Sequence, residues 1–216
     1  MLFDELKKFN DIVGVIDEST LQEKFRELAK IFLYGGYIQV NEDYKVYIRT
    51  VEFYFHSEKE PGIHDPIVYH RNGRRLENVP YFPPMSLHAH ESGFDITFEK
   101  EGEYRASALI RSYEEKKNMK DNKGSLYLEW DPKKQMFVEY SEYKYNKQST
   151  YLYNLLNGFP LGNDNSIKWI DSPTAITKKI TEKTRQNVYQ SESDWEYKKT
   201  KKKCERKWSF TREDQI

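Results

Sequence analysis

Residues 44–55, YKVYIRTVEFYF, decide the reading of the fold. β-Branched and aromatic side chains dominate the stretch, which is the composition of a strand. It follows a second such run, Tyr37-Ile38-Gln39-Val40, across the polar residues Asn41-Glu42-Asp43, so the two runs read as a hairpin. Upstream, residues 21–33 (LQEKFRELAKIFL) place Leu21, Phe25, Leu28, Ala29 and Phe32 on one stripe at helical spacing. Ser19 or Thr20 serves as N-cap with Glu23 three or four residues on, and Gly35-Gly36 ends the helix.

Downstream, residues 57–84 gather Pro, Gly, Asn and charges with no sustained period, which predicts a long loop. Leu87 to Phe98 and Ser107 to Tyr113 read as further strands joined by the charged turn Glu99 to Glu103. Asp121 to Gly124 is a turn signal before a strand pair at Ser125 to Trp130 and Gln135 to Tyr140. Tyr151 to Leu156 reads as a short helix, Ser166 to Ile170 as a strand, and Ser172-Pro173 followed by Thr174 to Val188 as a capped helix. Residues 198–207, KKTKKKCERK, hold seven basic residues against one Glu.

The chain has 216 residues, with 35 Lys and Arg balancing 35 Asp and Glu, and 33 aromatic residues, enough bulk for one packed core. Zero formal net charge excludes a uniformly basic binder and leaves local patches open. The single Cys204 excludes an internal disulfide, so a reducing, cytoplasmic setting fits. Charges at positions 4, 5, 7, 8 and 11 leave no signal-peptide apolar region in the first twenty residues, and no apolar run reaches membrane-spanning length. No membrane partner and no cofactor are expected, and the oligomeric state is left open.

Glu52 stands inside the strand between bulky apolar neighbours. On an exposed face it is an edge charge that discourages aggregation. Facing a cleft, it is a candidate general base for a water. All five histidines, His56, His64, His70, His88 and His90, fall within 35 residues. His88 and His90 would share a strand face, where Asp95 or Glu52 could complete a metal triad, or the histidines would line a polar cleft. Lys178, Lys179, Lys183 and Arg185, with the basic tail, are candidate phosphate contacts or a solvated face. Trp169, Trp195 and Trp208 read as core or edge packing. Tyr140 to Tyr153 mixes aromatics with Lys, as single-stranded nucleic-acid binders and edge strands both do.

In order, these segments resemble the alkyladenine (3-methyladenine) DNA glycosylase family. FRELAKIFLYGGYIQV (25–40) and KVYIRTVEFY (45–54) are similar to that family's helix and its strand ending in Glu-x-Tyr. The resemblance implies that Glu52 activates the hydrolytic water and that Tyr54 stacks on the flipped base. DPIVYHRNGR (65–74) is similar to the family's Asp, His and Gly-Arg loop, which implies that His70, with His64 in reserve, packs against the base. YFPP (81–84) and LHAHESGF (87–94) resemble the segment in which two tyrosines of the family correspond to His88 and His90. The family's wedge tyrosine has no clear counterpart, Ser92 being nearest, and its Asn falls near Glu99. Ala108-Leu109-Ile110-Arg111 matches a strand that makes Arg111 a supporting residue, and Asn157-Gly158 and TRQNV (184–188) resemble later elements.

The expected fold is a single-domain α+β structure, a curved, mainly antiparallel sheet with flanking helices, like that of the glycosylase family. The expected division is an N-terminal segment 1–20, a glycosylase-like domain 21–190 and a basic tail 191–216. Glu52, Tyr54, His70, His88 and His90 are expected to converge on one pocket, with Glu52 and His88 within about 12 Å, the reach of one small ligand. The leading function is nucleobase recognition in DNA or a nucleotide, with possible N-glycosidic hydrolysis of damaged purines. The alternatives are a non-catalytic relative that binds a nucleotide, a nucleic acid or a protein, and a metal-dependent site at His88 and His90.

Overall fold

The structure, a computed structural model, describes residues 1–11, 16–40, 44–65, 81–82, 84–90, 93–117, 126–131, 136–139, 167–172, 178–185, 189–190 and 202–213. Helices α1 (Leu2–Asp11) and α2 (Glu18–Tyr34) precede strands β1 (Gly36–Val40) and β2 (Tyr44–Ser57). Then follow β3 (Ser86–His90), β4 (Gly93–Thr97), β5 (Tyr104–Lys117), β6 (Leu126–Asp131) and β7 (Met136–Glu139). The last elements are β8 (Ile167–Asp171), β9 (Ile180–Lys183), β10 (Tyr189–Gln190), β11 (Lys202–Lys203) and β12 (Ser209–Arg212). Apart from the small β10–β11 pair, the described strands form one antiparallel sheet, so the class is α+β.

β2 and β5, each fourteen residues long, pair from Tyr44 opposite Lys117 to Ser57 opposite Tyr104 and form the spine. One half of the spine carries β1 and β8 beside β2, and β6 and β7 beside β5. The other half carries β12 and β9 beside β2, and β4 and β3 beside β5. The neighbours change where the register breaks: the pairs Ile48–Tyr113, Thr50–Ser112 and Val51–Ile110 leave out Arg49 on β2 and Arg111 on β5. Extra residues of this kind raise the local twist and re-aim side chains, and here they turn two arginines out of the ladder.

The two helices cover one face. Leu2, Leu6 and Phe9 of α1, at spacings of four and three, and Leu21, Phe25, Leu28 and Phe32 of α2 meet Val51, Phe53, Phe55, Ala108 and Ile110 in one buried cluster. Phe25 stacks on Phe53 at 4.6 Å between centroids, and Trp208 closes edge-on against Phe25 at 5.0 Å. Each such side chain removed from water contributes roughly 1.5 to 3 kcal/mol. Gly36 lets β1 and β8 close, because a Cβ there would stand 2.3 Å from the Ile170 carbonyl oxygen.

Several expectations are corrected. The N-cap of α2 is Asp17, with extended backbone, and not Ser19 or Thr20, whose hydroxyls instead donate to the Asp17 carboxylate. Leu87 to Phe98 is two strands, β3 and β4, since the register of β3 against β4 closes at His90 opposite Gly93. Within Thr174 to Val188, Ile180 to Lys183 is strand β9: the exposed edge of β12 offers a partner that Ile180 and Thr181 suit better than a helix. Leu2, Leu6 and Phe9 of α1 and Trp208 near the other end share one buried cluster, and β12 pairs with β2 and β9. The turns at Asn41 to Asp43 and Asp121 to Gly124 and the short helix at Tyr151 to Leu156 lie outside the described residues, as does Trp195.

Asp17 provides the first test. Hydrogen bonds from Ser19, then Thr20, hold its carboxyl well below the ordinary value of 3.8. Since the folded value is depressed, the cap contributes fully above the ordinary value and loses that contribution as the pH falls from there through the lower, folded one. Asp17→Ala is expected to lower the melting temperature at neutral pH, with the gap to the wild-type chain narrowing below about pH 4. A gap that stays constant into strong acid would mean the carboxylate is not the source.

Candidate functional site

The sheet face opposite the helices carries charge. Alternation along β2 puts Glu52, Tyr54 and His56 there while Val51, Phe53 and Phe55 enter the core. All three are almost enclosed, Glu52 at 2% and Tyr54 at 6% exposure. A buried carboxylate needs donors. Tyr54 donates its hydroxyl to Glu52 Oε2 at 3.0 Å, and Arg111 donates Nε at 2.8 Å and reaches the same oxygen with Nη2 at 2.7 Å. The break in the β5 ladder is what aims Arg111 at Glu52. Three donors thus meet on Oε2, and Oε1 has no hydrogen-bond partner among the described residues.

Burial, then the Glu52 charge, pushes the Tyr54 phenol far above its usual range, so it serves as a donor at every physiological pH. Burial works to lower the Arg111 guanidinium, but Tyr54 and Glu52 outweigh it and leave it raised.

Next to this triad lies a second buried pair. β12 pairs with β2 only as far as Glu52, and beyond it Phe53 N donates to the Trp208 carbonyl at 2.8 Å. Arg185 Nη1 donates to the Phe53 carbonyl at 3.1 Å, and Asp65 Oδ2 accepts from Phe55 N at 3.4 Å. Arg185 and Asp65, both without exposed side-chain area, are joined by an ion pair and stand in for the missing strand. The Arg185 guanidinium lies 4.6 Å from the centre of the Tyr54 ring and 4.9 Å from that of Trp208, with Cys204 Sγ 3.6 Å from Nη2.

The expected site residues are therefore only partly brought together. Glu52, Tyr54 and Arg111 meet. Arg185 is corrected from phosphate contact to buried support, because it is fully enclosed and ion-paired. Tyr54 is enclosed, with the Arg185 guanidinium over its ring, Leu109 and Cys204 in the same buried cluster, and its hydroxyl on Glu52. The register runs Lys183, Ser209, Glu52, Leu109, Asp95, His88 across the sheet. At about 4.8 Å per strand, Glu52 and His88 stand roughly 14 Å apart in this row, beyond the single pocket expected for them. Lys183, exposed, is roughly 10 Å from Glu52 on the other side. Lys178 and Lys179 are exposed just before β9, the former 5.5 Å over the Tyr34 ring. His70 lies outside the described residues, as do the side chains of His88 and His90. His64 lies beside His56, ring centres 5.0 Å apart, and bonds Glu60 at 2.8 Å. Asp65 was legible in sequence as the Asp that opens the family-like loop 65–74, and nothing local announced its partner 120 positions away.

Among the described residues no group of three or more His, Cys, Asp or Glu could hold a metal ion, and no helix is long and apolar enough to cross a membrane. Fold and site define an α+β protein whose antiparallel sheet has one helix-covered apolar face and one face with buried, paired charges. No family model, no curated protein and no solved structure matches the chain.

Proposed function

We propose that this charged face receives a nucleobase of a nucleic acid and that Glu52 activates the water that hydrolyses its N-glycosidic bond. The observation that carries the reading is the one-sided grip on Glu52, with three donors on Oε2 and Oε1 left for a water. In the step, a water gives its proton to Oε1 as its oxygen bonds to C1′ of the sugar. The C1′–N bond breaks, its electron pair leaves with the base, and a purine made cationic by alkylation departs neutral. Arg111 and Tyr54 keep the carboxylate oriented, a positioning role. Lys183 supplies a phosphate contact near the row's edge. Because the sequence offers no clear counterpart to a wedge tyrosine that would offset extrusion from a duplex, single strands are the better substrate. The test is release of free base from oligonucleotides holding one alkylated or deaminated purine, single-stranded and duplex, by the wild-type chain and Glu52→Gln. Absence of release on every such base in both forms would refute the chemistry.

A second reading, a binding protein without chemistry, is favoured by the covered Tyr54 ring, which leaves the base without that stacking partner. It predicts oligonucleotide binding that Glu52→Gln leaves unchanged and no base release.

A further inference from the structure

The half of the sheet away from Glu52 carries a second pattern on its helix-free face. Register pairs Lys168 of β8 with Gln39 of β1, Gln39 with Lys45 of β2, and Lys45 with Lys116 of β5. Three lysines thus stand in one row across four strands. Like charges directly opposite each other on a sheet, as Lys45 and Lys116 are, destabilise it. Beside it, Tyr37 of β1 and Tyr47 of β2, both partly exposed, stand with ring centres 5.3 Å apart. Lys45 Nζ lies 5.1 Å from the Tyr37 ring centre and Lys116 Nζ 5.1 Å from that of Tyr47, so each ring is flanked by a cation. Of the acids near it, Glu114 is buried and already engaged by Arg49 at 2.6 Å and Lys116 at 3.1 Å, and Glu129 stands one strand further out, opposite Ser112. In a chain of zero net charge, this face concentrates positive charge around two aromatic rings.

We propose that this face is a binding strip for single-stranded nucleic acid, with bases stacking on Tyr37 and Tyr47 and phosphates on Lys45, Lys116 and Lys168. The chemistry is that of single-strand binders, in which every base has a π-face to stack and cations follow the backbone. The strip leads toward Glu52. From Tyr47 to Glu52 is five residues of β2, roughly 16 Å, a span of a few nucleotides. The way is lined by Thr50, which accepts from Ser112 at 2.9 Å and meets Thr211 at 3.2 Å, and then by Arg111. These hydroxyls suit a sugar-phosphate chain better than an apolar partner. The inference rests on the reading above for its direction, the strip presenting the strand to the site.

The experiment is fluorescence anisotropy of the full chain with a labelled oligothymidylate, a labelled oligouridylate and a duplex of equal length, over a range of salt. The single strands are expected to bind more tightly than the duplex, the first two arms ranking DNA against RNA. Tyr37→Ala with Tyr47→Ala should weaken single-strand binding by at least about fivefold. Exchanging Lys45, Lys116 and Lys168 for Gln, which keeps size and removes charge, should lower the slope of log affinity against log salt by about two units. Unaltered affinity and slope in both variants, both folded by circular dichroism, would overturn the proposal, and so would absence of single-strand binding by the wild-type chain. Base release by Glu52 that survives unchanged strip-variant binding would leave the function standing without the strip. Binding lost in the strip variants with no base release by the wild type would leave the strip standing without the function.

Discussion

Changing Asp65 to alanine is expected to cost about 3 to 5 kcal/mol, because it leaves the Arg185 guanidinium buried without its counter-ion. Burial alone would lower that guanidinium's proton affinity, and Asp65, then Tyr54, outweigh it and hold it charged. The same change takes the acceptor from Phe55 N, so a backbone group of the central strand loses its partner as well. For a chain of this length the loss corresponds to a fall in melting temperature of roughly 6 to 20 °C. Salt should not reproduce it, since neither side chain is exposed. Arg185→Met in the same background should recover part of the loss by removing the stranded charge. Thermal and urea unfolding of the two single variants and the double variant give the coupling directly. Additive losses would mean that the two residues act separately and that the surrogate-strand account is wrong.

The other large effect is expected at Glu52. Glu52→Gln keeps size and polarity but removes the proton acceptor, which at a positioned general base lowers turnover by about 10² to 10⁴-fold. Substrate affinity should change far less, because the amide still fills the space beneath the strand. Arg111→Lys separates positioning from chemistry. A lysine cannot offer two nitrogens to one carboxylate oxygen from a fixed plane, so kcat should fall while the Tyr54 bond persists. Single-turnover base release on an alkylated single strand reads both. Full activity in Glu52→Gln would remove Glu52 from the reaction, while a Lys variant as active as the wild type would show that the Arg111 grip is only structural.

The β1–β2 hairpin and α2 were legible because their signals are local: two apolar runs around a polar turn, and a stripe of Leu and Phe ended by glycine. Helix α1 carried a readable spacing in Leu2, Leu6 and Phe9, obscured by surrounding charges that turn out to lie on its solvent side. Strand β9 was misread because Ser172-Pro173 looked like a helix start, and the preference of Ile180 and Thr181 for a strand counts only once β12 supplies an edge. Of the site, Glu52 declared itself as a carboxylate among apolar strand neighbours, and Arg111 came through family resemblance alone.

By itself, then, the sequence determined the local elements, since propensity depends only on neighbours along the chain. It also supplied the carboxylate. Which groups meet that carboxylate was decided by the tertiary structure. Arg111 reaches Glu52 because the ladder breaks at that position, Arg185 and Asp65 meet because β12 ends one residue short, and Lys45, Lys116 and Lys168 align because three separate strand pairings share a register. Cross-strand register is a property of paired strands far apart in the chain, and shifting it by one residue sends each side chain to the other face, so no local pattern contains it.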